Sequence, residues 1–134
     1  MTGNTIKSST RSNISLTGKY GLMKMGKNNV INNSVEQCSI VIDQKAKLYI
    51  VGTGNKINGS KQYGIYLKNG SYLKSIYKNT YIQENGKYAI GLTNKSKAEL
   101  KNATLTKNAK GSAYVSSGCT LKLTSCKTNK VVRA

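Results

Sequence analysis

The strongest constraint on this chain is an internal repeat of about 25 residues that runs through most of its length. A short pattern of an apolar, a polar and an apolar residue recurs at intervals of 25, 25, 25 and 23 residues. These segments begin at Met23, Leu48, Leu73, Ala98 and Leu121. Alternation with a period of two is typical of a β-strand with one buried face. The repeat therefore predicts that a strand of each unit lies above its equivalent in the next unit.

Two further apolar sites recur in step with the first. The second site begins at Ile40, Ile65 and Ile90, and Val115 continues the series, while the third comprises Val30-Ile31, Ile57, Ile82 and Leu105. Gly and Asn, which accept positive φ at low cost, are frequent in the segments between these sites. Each repeat is therefore predicted to hold three strands. The predicted inward columns are Leu48–Leu73–Ala98–Leu121 and Ile40–Ile65–Ile90–Val115.

Other repeat architectures fit this pattern less well. Helical repeats need amphipathic segments of ten or more residues with 3.6-residue spacing, and none is present. A β-sandwich would contain short strands and turns, but it would not place like residues at like positions in successive units. The predicted fold is all-β, a single-stranded parallel β-helix of about four to five rungs of 23–25 residues. We expect residues 1–22 to form an irregular N-terminal segment with a partial first rung, and residues 23–134 to form the rungs.

The repeat also resembles a known family. The segments Ile82-Gln83-Glu84-Asn85, Ala89-Ile90-Gly91-Leu92 and Leu105-Thr106-Lys107-Asn108 are similar to the right-handed parallel β-helix repeats of the pectate-lyase-like superfamily. The resemblance covers roughly residues 23–123 and implies a right-handed coil.

The repeat predicts that polar residues follow the third apolar site at a fixed offset. They are Asn33, Asn85 and Asn108, with Ser60 between. The family resemblance implies that such Asn residues stack in the turns as a structural, hydrogen-bonded ladder. Tyr63 and Tyr88, which are 25 residues apart, are expected to stack as well.

The charge balance is strongly positive. The chain has 22 Lys and Arg against four acids, a formal net charge of +18, and all of these basic residues except Arg11 and Arg133 are Lys. Such a surface attracts anions. Because Arg is the better bidentate reader of bases and phosphates, the composition disfavours specific nucleic-acid recognition and leaves nonspecific binding open. We also expect stacked rungs to bring lysines within ~5 Å of one another, at a cost in stability.

An outward column of charged and aromatic residues is predicted beside the first apolar site. It contains Lys24, Tyr49, Lys74, Glu99 and Lys122, in which the lysines beside Glu99 suggest an ion pair. Tyr66 is also predicted to face outward. The candidate binding residues are Lys24, Tyr49, Tyr66, Lys74 and Lys122, where lysines would pair with anions and tyrosines would stack on sugar rings.

The residues needed for catalysis are scarce. The enzymes of the resembled family work with clusters of carboxylates, often with calcium, whereas this chain has one Asp, Asp43, and three Glu, Glu36, Glu84 and Glu99. Glycoside hydrolysis needs two carboxylates at one bond, and a Ser-His triad needs a His, which the chain lacks. We therefore expect no catalytic residues, no metal site and no cofactor. A fragment of a polysaccharide lyase-like enzyme is the alternative.

The remaining features concern cysteines and the chain ends. Cys38, Cys119 and Cys126 lack metal-type spacing, so we expect small apolar residues and leave one disulfide open. No segment approaches the ~20 apolar residues that would span a membrane, and the first residues do not resemble a signal peptide. Neither end shows a capping helix, so exposed strand edges are expected. They imply either a fragment of a longer rod or a unit that stacks end to end.

These observations favour a non-enzymatic β-helix module of a secreted or cell-surface protein, with a structural or adhesive role. Its expected partner is an anionic polysaccharide or wall polymer. A fibre subunit that self-associates through its open ends and a nonspecific nucleic-acid binder are the alternatives. Steep salt dependence would mark the nucleic-acid binder.

Overall fold

The computed structural model describes residues 1–134 as 16 short strands without any helix. In chain order the strands are β1 (Thr5–Lys7), β2 (Ile14–Thr17), β3 (Leu22–Met25), β4 (Val30–Asn32), β5 (Ile40–Asp43), β6 (Lys47–Ile50), β7 (Lys56–Asn58), β8 (Ile65–Leu67), β9 (Tyr72–Ser75), β10 (Thr80–Gln83), β11 (Tyr88–Leu92), β12 (Lys97–Lys101), β13 (Ala103–Thr104), β14 (Gly111–Val115), β15 (Thr120–Thr124) and β16 (Val131–Arg133).

From β1 to β15, every third strand lies in the same sheet. Sheet A has the order β1-β4-β7-β10-β13, sheet B the order β2-β5-β8-β11-β14-β16, and sheet C the order β3-β6-β9-β12-β15. All the strand pairs are parallel, for example β4 with β7, β5 with β8 and β6 with β9. The chain therefore coils through five complete rungs, and β16 adds one strand of a sixth. The predicted parallel β-helix is confirmed, and the β-sandwich is excluded.

The core consists of apolar columns that run along the axis of the coil. On sheet C, Leu48 pairs with Leu73, Leu73 with Ala98 and Ala98 with Leu121, as the repeat predicted. On sheet A, Ile31, Ile57 and Ile82 form a second column of buried side chains. Together 22 buried apolar residues form one continuous cluster. Burial of these side chains, at ~25 cal/mol per Å² of apolar surface, is the main term that stabilises the coil.

The predicted position of Val115 is wrong. Ile90 pairs with Ala113, and Val115 instead pairs with Leu92. The cause is a shorter corner between sheets C and A. Two residues separate Leu100 from Ala103, whereas four separate Ser75 from Thr80, the residues with which they pair on the preceding rung. All later positions are therefore displaced by two residues relative to a repeat of 25.

The prediction for residues 1–22 also needs correction. The partial first rung is present, since β2 pairs with β5, but the part expected to be irregular also contains a strand, because β1 pairs with β4. With β3 these strands complete the first rung. Ile6 and Ile14 are partly buried and pack against the core, so their apolar positions follow the same rule as later ones.

One predicted ladder is present with a different first member. Asn33 is exposed with φ 58°, and the buried residue in this column is Ser34, which lies three residues after Ile31. The buried column is Ser34, Ser60, Asn85 and Asn108. The backbone N–H and the side-chain amide of Asn85 both donate to Asn108 Oδ1, at 3.1 and 2.9 Å, and Ser60 Oγ donates to Asn85 Oδ1 at 2.8 Å. These bonds satisfy polar groups inside the corner.

A second ladder lies at the corner between sheets C and A. The backbone N–H of Asn29 and its side-chain amide each donate to Asn55 Oδ1 at 2.9 Å. Asn4 continues the ladder below, because its backbone N–H donates to Asn29 Oδ1 at 3.0 Å. Asn29 and Asn55 are fully buried. The two ladders together support the corners on either side of sheet A.

Candidate binding faces

The outer face of sheet C carries the predicted charged and aromatic column. Lys24 pairs with Tyr49, Tyr49 with Lys74, Lys74 with Glu99 and Glu99 with Lys122. A second outward column lies two residues earlier on the same strands, Leu22–Lys47–Tyr72–Lys97–Thr120. The two columns together place one lysine on each of the five rungs, alternately in one column and the other: Lys24, Lys47, Lys74, Lys97 and Lys122.

The lysines are separated from one another by this arrangement. None of the strand pairs in the structure places two lysines in direct register, so the expected contact of lysines at ~5 Å does not occur within the sheets. Tyr49 lies between Lys24 and Lys74, and Tyr72 lies between Lys47 and Lys97. Two rungs separate successive lysines of a column, which is ~9.6 Å. The face therefore combines a high positive charge with little direct repulsion.

Glu99 does not form the predicted ion pair with its neighbouring lysines. The one ion pair in the structure joins Lys68 Nζ to Asp43 Oδ2 at 3.8 Å. Asp43 also accepts a hydrogen bond from Asn69 Nδ2 at 2.8 Å. On sheet C, burial raises the pKa of the Tyr72 hydroxyl, and the negative charge of Glu99 raises that pKa further.

Tyr66 lies on a different face from the other candidate binding residues. It is on β8 in sheet B, where its ring stacks on that of Tyr63 with centroids 4.8 Å apart. Tyr63 in turn stacks on Tyr88 at 6.0 Å, which confirms the predicted pair, and Tyr88 contacts Tyr114 at 5.8 Å. We call Tyr63, Tyr66, Tyr88 and Tyr114 the tyrosine stack. Each ring of the tyrosine stack contacts at least one other ring of the stack.

Gly91 makes the tyrosine stack sterically feasible. It lies on β11 between Tyr66 and Tyr114 in the outward column of sheet B. A Cβ at this position would lie 2.5 Å from Cε1 of Tyr63, closer than real contacts permit. The absence of a side chain therefore creates the space into which the Tyr63 ring packs. Burial raises the pKa of Tyr63 to about 12, with smaller contributions from Tyr66 and Cys38.

The cysteines are all free thiols. Cys38 is 2% exposed, and burial raises the pKa of its thiol to about 11. Cys119 and Cys126 are half-buried and pack against the apolar core. Because the thiolate is the reactive form, Cys38 is protected against oxidation and alkylation. The three cysteines thus act as small apolar residues.

Two adjoining hollows lie on the outer face of sheet A. The larger, of about 320 Å³, is lined by Lys56, Asn58, Tyr81, Gln83 and Glu84. Tyr81 also lines the smaller hollow, of about 260 Å³, and so separates the two. These hollows contain a single carboxylate, that of Glu84. The chain has no group of three or more His, Cys, Asp or Glu that could hold a metal ion.

The three parallel sheets, the coiling by rungs and the corner ladders agree with the family whose model matches the sequence. The model of the right-handed beta helix region matches residues 1–128. The chain belongs to the right-handed β-helix family. No curated protein and no solved structure matches it. The structure contains no α-helix of the length and apolar character needed to cross a membrane.

Sequence reasoning located one outward column of sheet C and missed the other. Lys24, Tyr49, Lys74 and Lys122 lie together on sheet C, but the second column with Lys47, Tyr72 and Lys97 was not identified. The signal was present, since these three residues are also 25 apart. Tyr66 and Gly91 are likewise 25 residues apart. The hollows beside Tyr81 depend on side-chain packing, which the repeat alone does not describe.

Proposed function

We propose that this right-handed β-helix is a non-enzymatic structural or adhesive module of a secreted or cell-surface protein. We further propose that it binds anionic polysaccharide or wall polymer through sheet C. The observation that carries the proposal is the distribution of Lys24, Lys47, Lys74, Lys97 and Lys122, one on each rung. A linear polyanion lying along the axis would meet a lysine at each ~4.8 Å step.

The aromatic residues of sheet C support the same ligand class. Tyr49 and Tyr72 are half-buried, and their rings are 5.9 Å apart in an edge-to-face arrangement at 75°. They occupy the positions between lysines, where a sugar ring of a polymer could contact them. Charged groups would thus contribute long-range attraction, and the tyrosines would contribute short-range contacts.

The scarcity of acidic groups supports a non-enzymatic role. Asp43 is held by Lys68 and Asn69, and Glu99 faces the lysines of sheet C. Glu84 is the one carboxylate in the hollows of sheet A. Cleavage of a glycosidic bond by hydrolysis needs a pair of carboxylates across that bond. Incubation with polygalacturonate should therefore produce neither new reducing ends nor unsaturated products, and either product would contradict this part of the proposal.

Polymer binding is tested by comparing two triple variants with equal net charge. We expect the native protein to bind polygalacturonate in low salt and to release it in high salt. It should not bind neutral dextran. Lys47→Gln/Lys74→Gln/Lys97→Gln should weaken binding at least about tenfold in calorimetric titration. The control, Lys61→Gln/Lys110→Gln/Lys130→Gln, removes three exposed lysines that lie outside sheet C. The control should retain most of the affinity.

The outcomes separate a specific face from diffuse charge. Equal loss in both triple variants would contradict the assignment of sheet C, because net charge alone would then explain binding. No binding of polygalacturonate by the native protein at low salt would contradict the polymer proposal itself.

A further inference from the structure

Exposed apolar side chains are concentrated on one side of the coil. Of the six large hydrophobic residues with exposed side chains, five lie on sheet C or at its edges, and Val35 lies in the connection between sheets A and B. The five are Tyr20, Leu22, Val51, Ile76 and Tyr77. Single exposed hydrophobic residues are ordinary on protein surfaces, whereas a cluster marks an interaction site. The same side carries the lysines of sheet C.

Three of these residues form a contiguous cluster at the corner between sheets C and A. Val51 and Ile76 directly follow Ile50 and Ser75, which are paired on adjacent rungs, so they lie one above the other. Tyr77 is the next residue along the chain. Their exposures are 42%, 44% and 44%. We call Val51, Ile76 and Tyr77 the corner patch.

Lysines surround the corner patch. Lys101 follows Leu100, which pairs with Ser75, and therefore lies directly above Ile76. Lys27 lies below Gly52, since a Cβ on Gly52 would be 2.5 Å from the Lys27 backbone nitrogen. Lys78 follows Tyr77, and all three lysines are exposed. The nearest acid on β12 is Glu99, in the adjacent outward column. The patch is thus apolar at its centre and cationic at its edge.

We propose that the corner patch docks the β-helix onto an anionic phospholipid surface. Val51 and Ile76 would enter the boundary between headgroups and acyl chains, and Tyr77 would lie at the headgroup level. Lys27, Lys78 and Lys101 would pair with lipid phosphates, as basic residues do at anionic leaflets. A dissolved polyanion offers no apolar layer, so exposed aliphatic side chains favour a bilayer as the occupant. This inference goes beyond the proposed polymer binding and uses different residues.

The test is sedimentation with vesicles of phosphatidylcholine alone or mixed with phosphatidylglycerol. We expect binding only to the anionic vesicles. Val51→Ser/Ile76→Ser should weaken that binding by about tenfold, because two aliphatic side chains would no longer be removed from water. Val35→Ser is the matched control, since Val35 is 57% exposed and lies away from the patch. It should bind as the native protein does, and both variants should retain the native melting temperature.

A fluorescent reporter gives a second readout of the same contact. The chain contains no Trp, so Tyr77→Trp introduces a single indole. Its emission should shift to the blue and become protected from aqueous quenchers on anionic vesicles. Val35→Trp should show neither change.

The results distinguish this inference from the polymer proposal. Equal vesicle binding by Val51→Ser/Ile76→Ser and the native protein, or no vesicle binding at all, would overturn the docking of the corner patch. The double variant should still bind polygalacturonate with native affinity, since it retains every lysine. Vesicle binding without polygalacturonate binding would overturn the polymer proposal and leave the lipid contact standing.

Discussion

Sheets B and C both place tyrosines on their outer faces, but the side chains are arranged in opposite ways. On sheet B, four rings pack against one another, and Gly91 provides the space that brings Tyr63 onto the sheet. On sheet C, Tyr49 and Tyr72 are interleaved with lysines in both columns. The tyrosines of sheet B thus cover apolar surface by packing on one another. The lysines of sheet C form no ion pair.

The comparison assigns different roles to residues of the same type. Contacts within the tyrosine stack contribute to stability because rings that pack on one another remove apolar surface from water. The lysines of sheet C gain no such contacts, and exposed charges contribute little to stability. Substitutions on sheet B should therefore change the free energy of unfolding, and substitutions on sheet C should change binding.

The largest effect is expected from Gly91→Ala. The new methyl group would lie 2.5 Å from Tyr63 Cε1, so the ring must move out of the stack. Overpacking of this kind costs about 1–3 kcal/mol in the free energy of unfolding, measured in urea. In a Tyr63→Ala background the same substitution should cost much less. An unchanged urea midpoint for Gly91→Ala would show that the stack does not constrain this position.

Alkaline pH should also lower the free energy of unfolding, through the buried thiol of Cys38 beside the tyrosine stack. Burial raises the pKa of Cys38 from 9.0 to about 11, so the unfolded chain releases this proton first as the pH rises. The stability contributed by the neutral thiol is complete below pH 9 and is lost as the pH rises through 11, a change of about 3 kcal/mol in the free energy of unfolding. Cys38→Ala should lack this component. Parallel pH profiles of unfolding for the variant and the native protein would contradict the prediction.

Glu99→Lys tests whether interleaving matters on sheet C. It would place three lysines in direct register, at positions 74, 99 and 122. Like charges directly opposite one another are unfavourable, so we expect a loss of about 0.5–1 kcal/mol relative to Glu99→Gln in low salt. High salt should remove most of the difference between the two variants. A deficit that persists in high salt would indicate a packing effect instead.

The smallest effect on stability is expected from Lys47→Gln/Lys74→Gln/Lys97→Gln. These side chains form no ion pair in the structure, so the free energy of unfolding should change by less than about 0.5 kcal/mol. Thermal unfolding in low and high salt measures this directly. A large loss would show that the lysines support the fold, and the contrast between sheets B and C would then fail.

The repeat predicted the interior more accurately than the corners. Equal intervals placed Leu48, Leu73 and Ala98 in one column, since parallel strands stack residue upon residue. The prediction for Val115 was wrong because the corner before β13 is two residues shorter. A change in turn length displaces every later position, and apolar periodicity alone does not reveal where it occurs.

Ser34 illustrates a second limit. Both Val30 and Ile31 are apolar, so the sequence pattern did not show which of them faces inward. Ile31 is fully buried, and the ladder position three residues later is therefore Ser34 rather than Asn33. The strand pairing of β4 with β7 decides this choice, because it sets the face on which each side chain lies.

The sequence by itself determined that this chain forms a parallel β-helix, because only stacked rungs bury apolar residues that recur every 25 positions in three columns. It also determined the positive charge and the column of Lys24, Tyr49, Lys74 and Lys122. The tertiary structure decided which columns are neighbours. It separated Tyr66 from sheet C, interleaved the lysines of two columns and brought Val51, Ile76 and Tyr77 to one corner. These relations depend on where each turn redirects the chain, and turn geometry follows from packing among rungs rather than from periodicity along one strand.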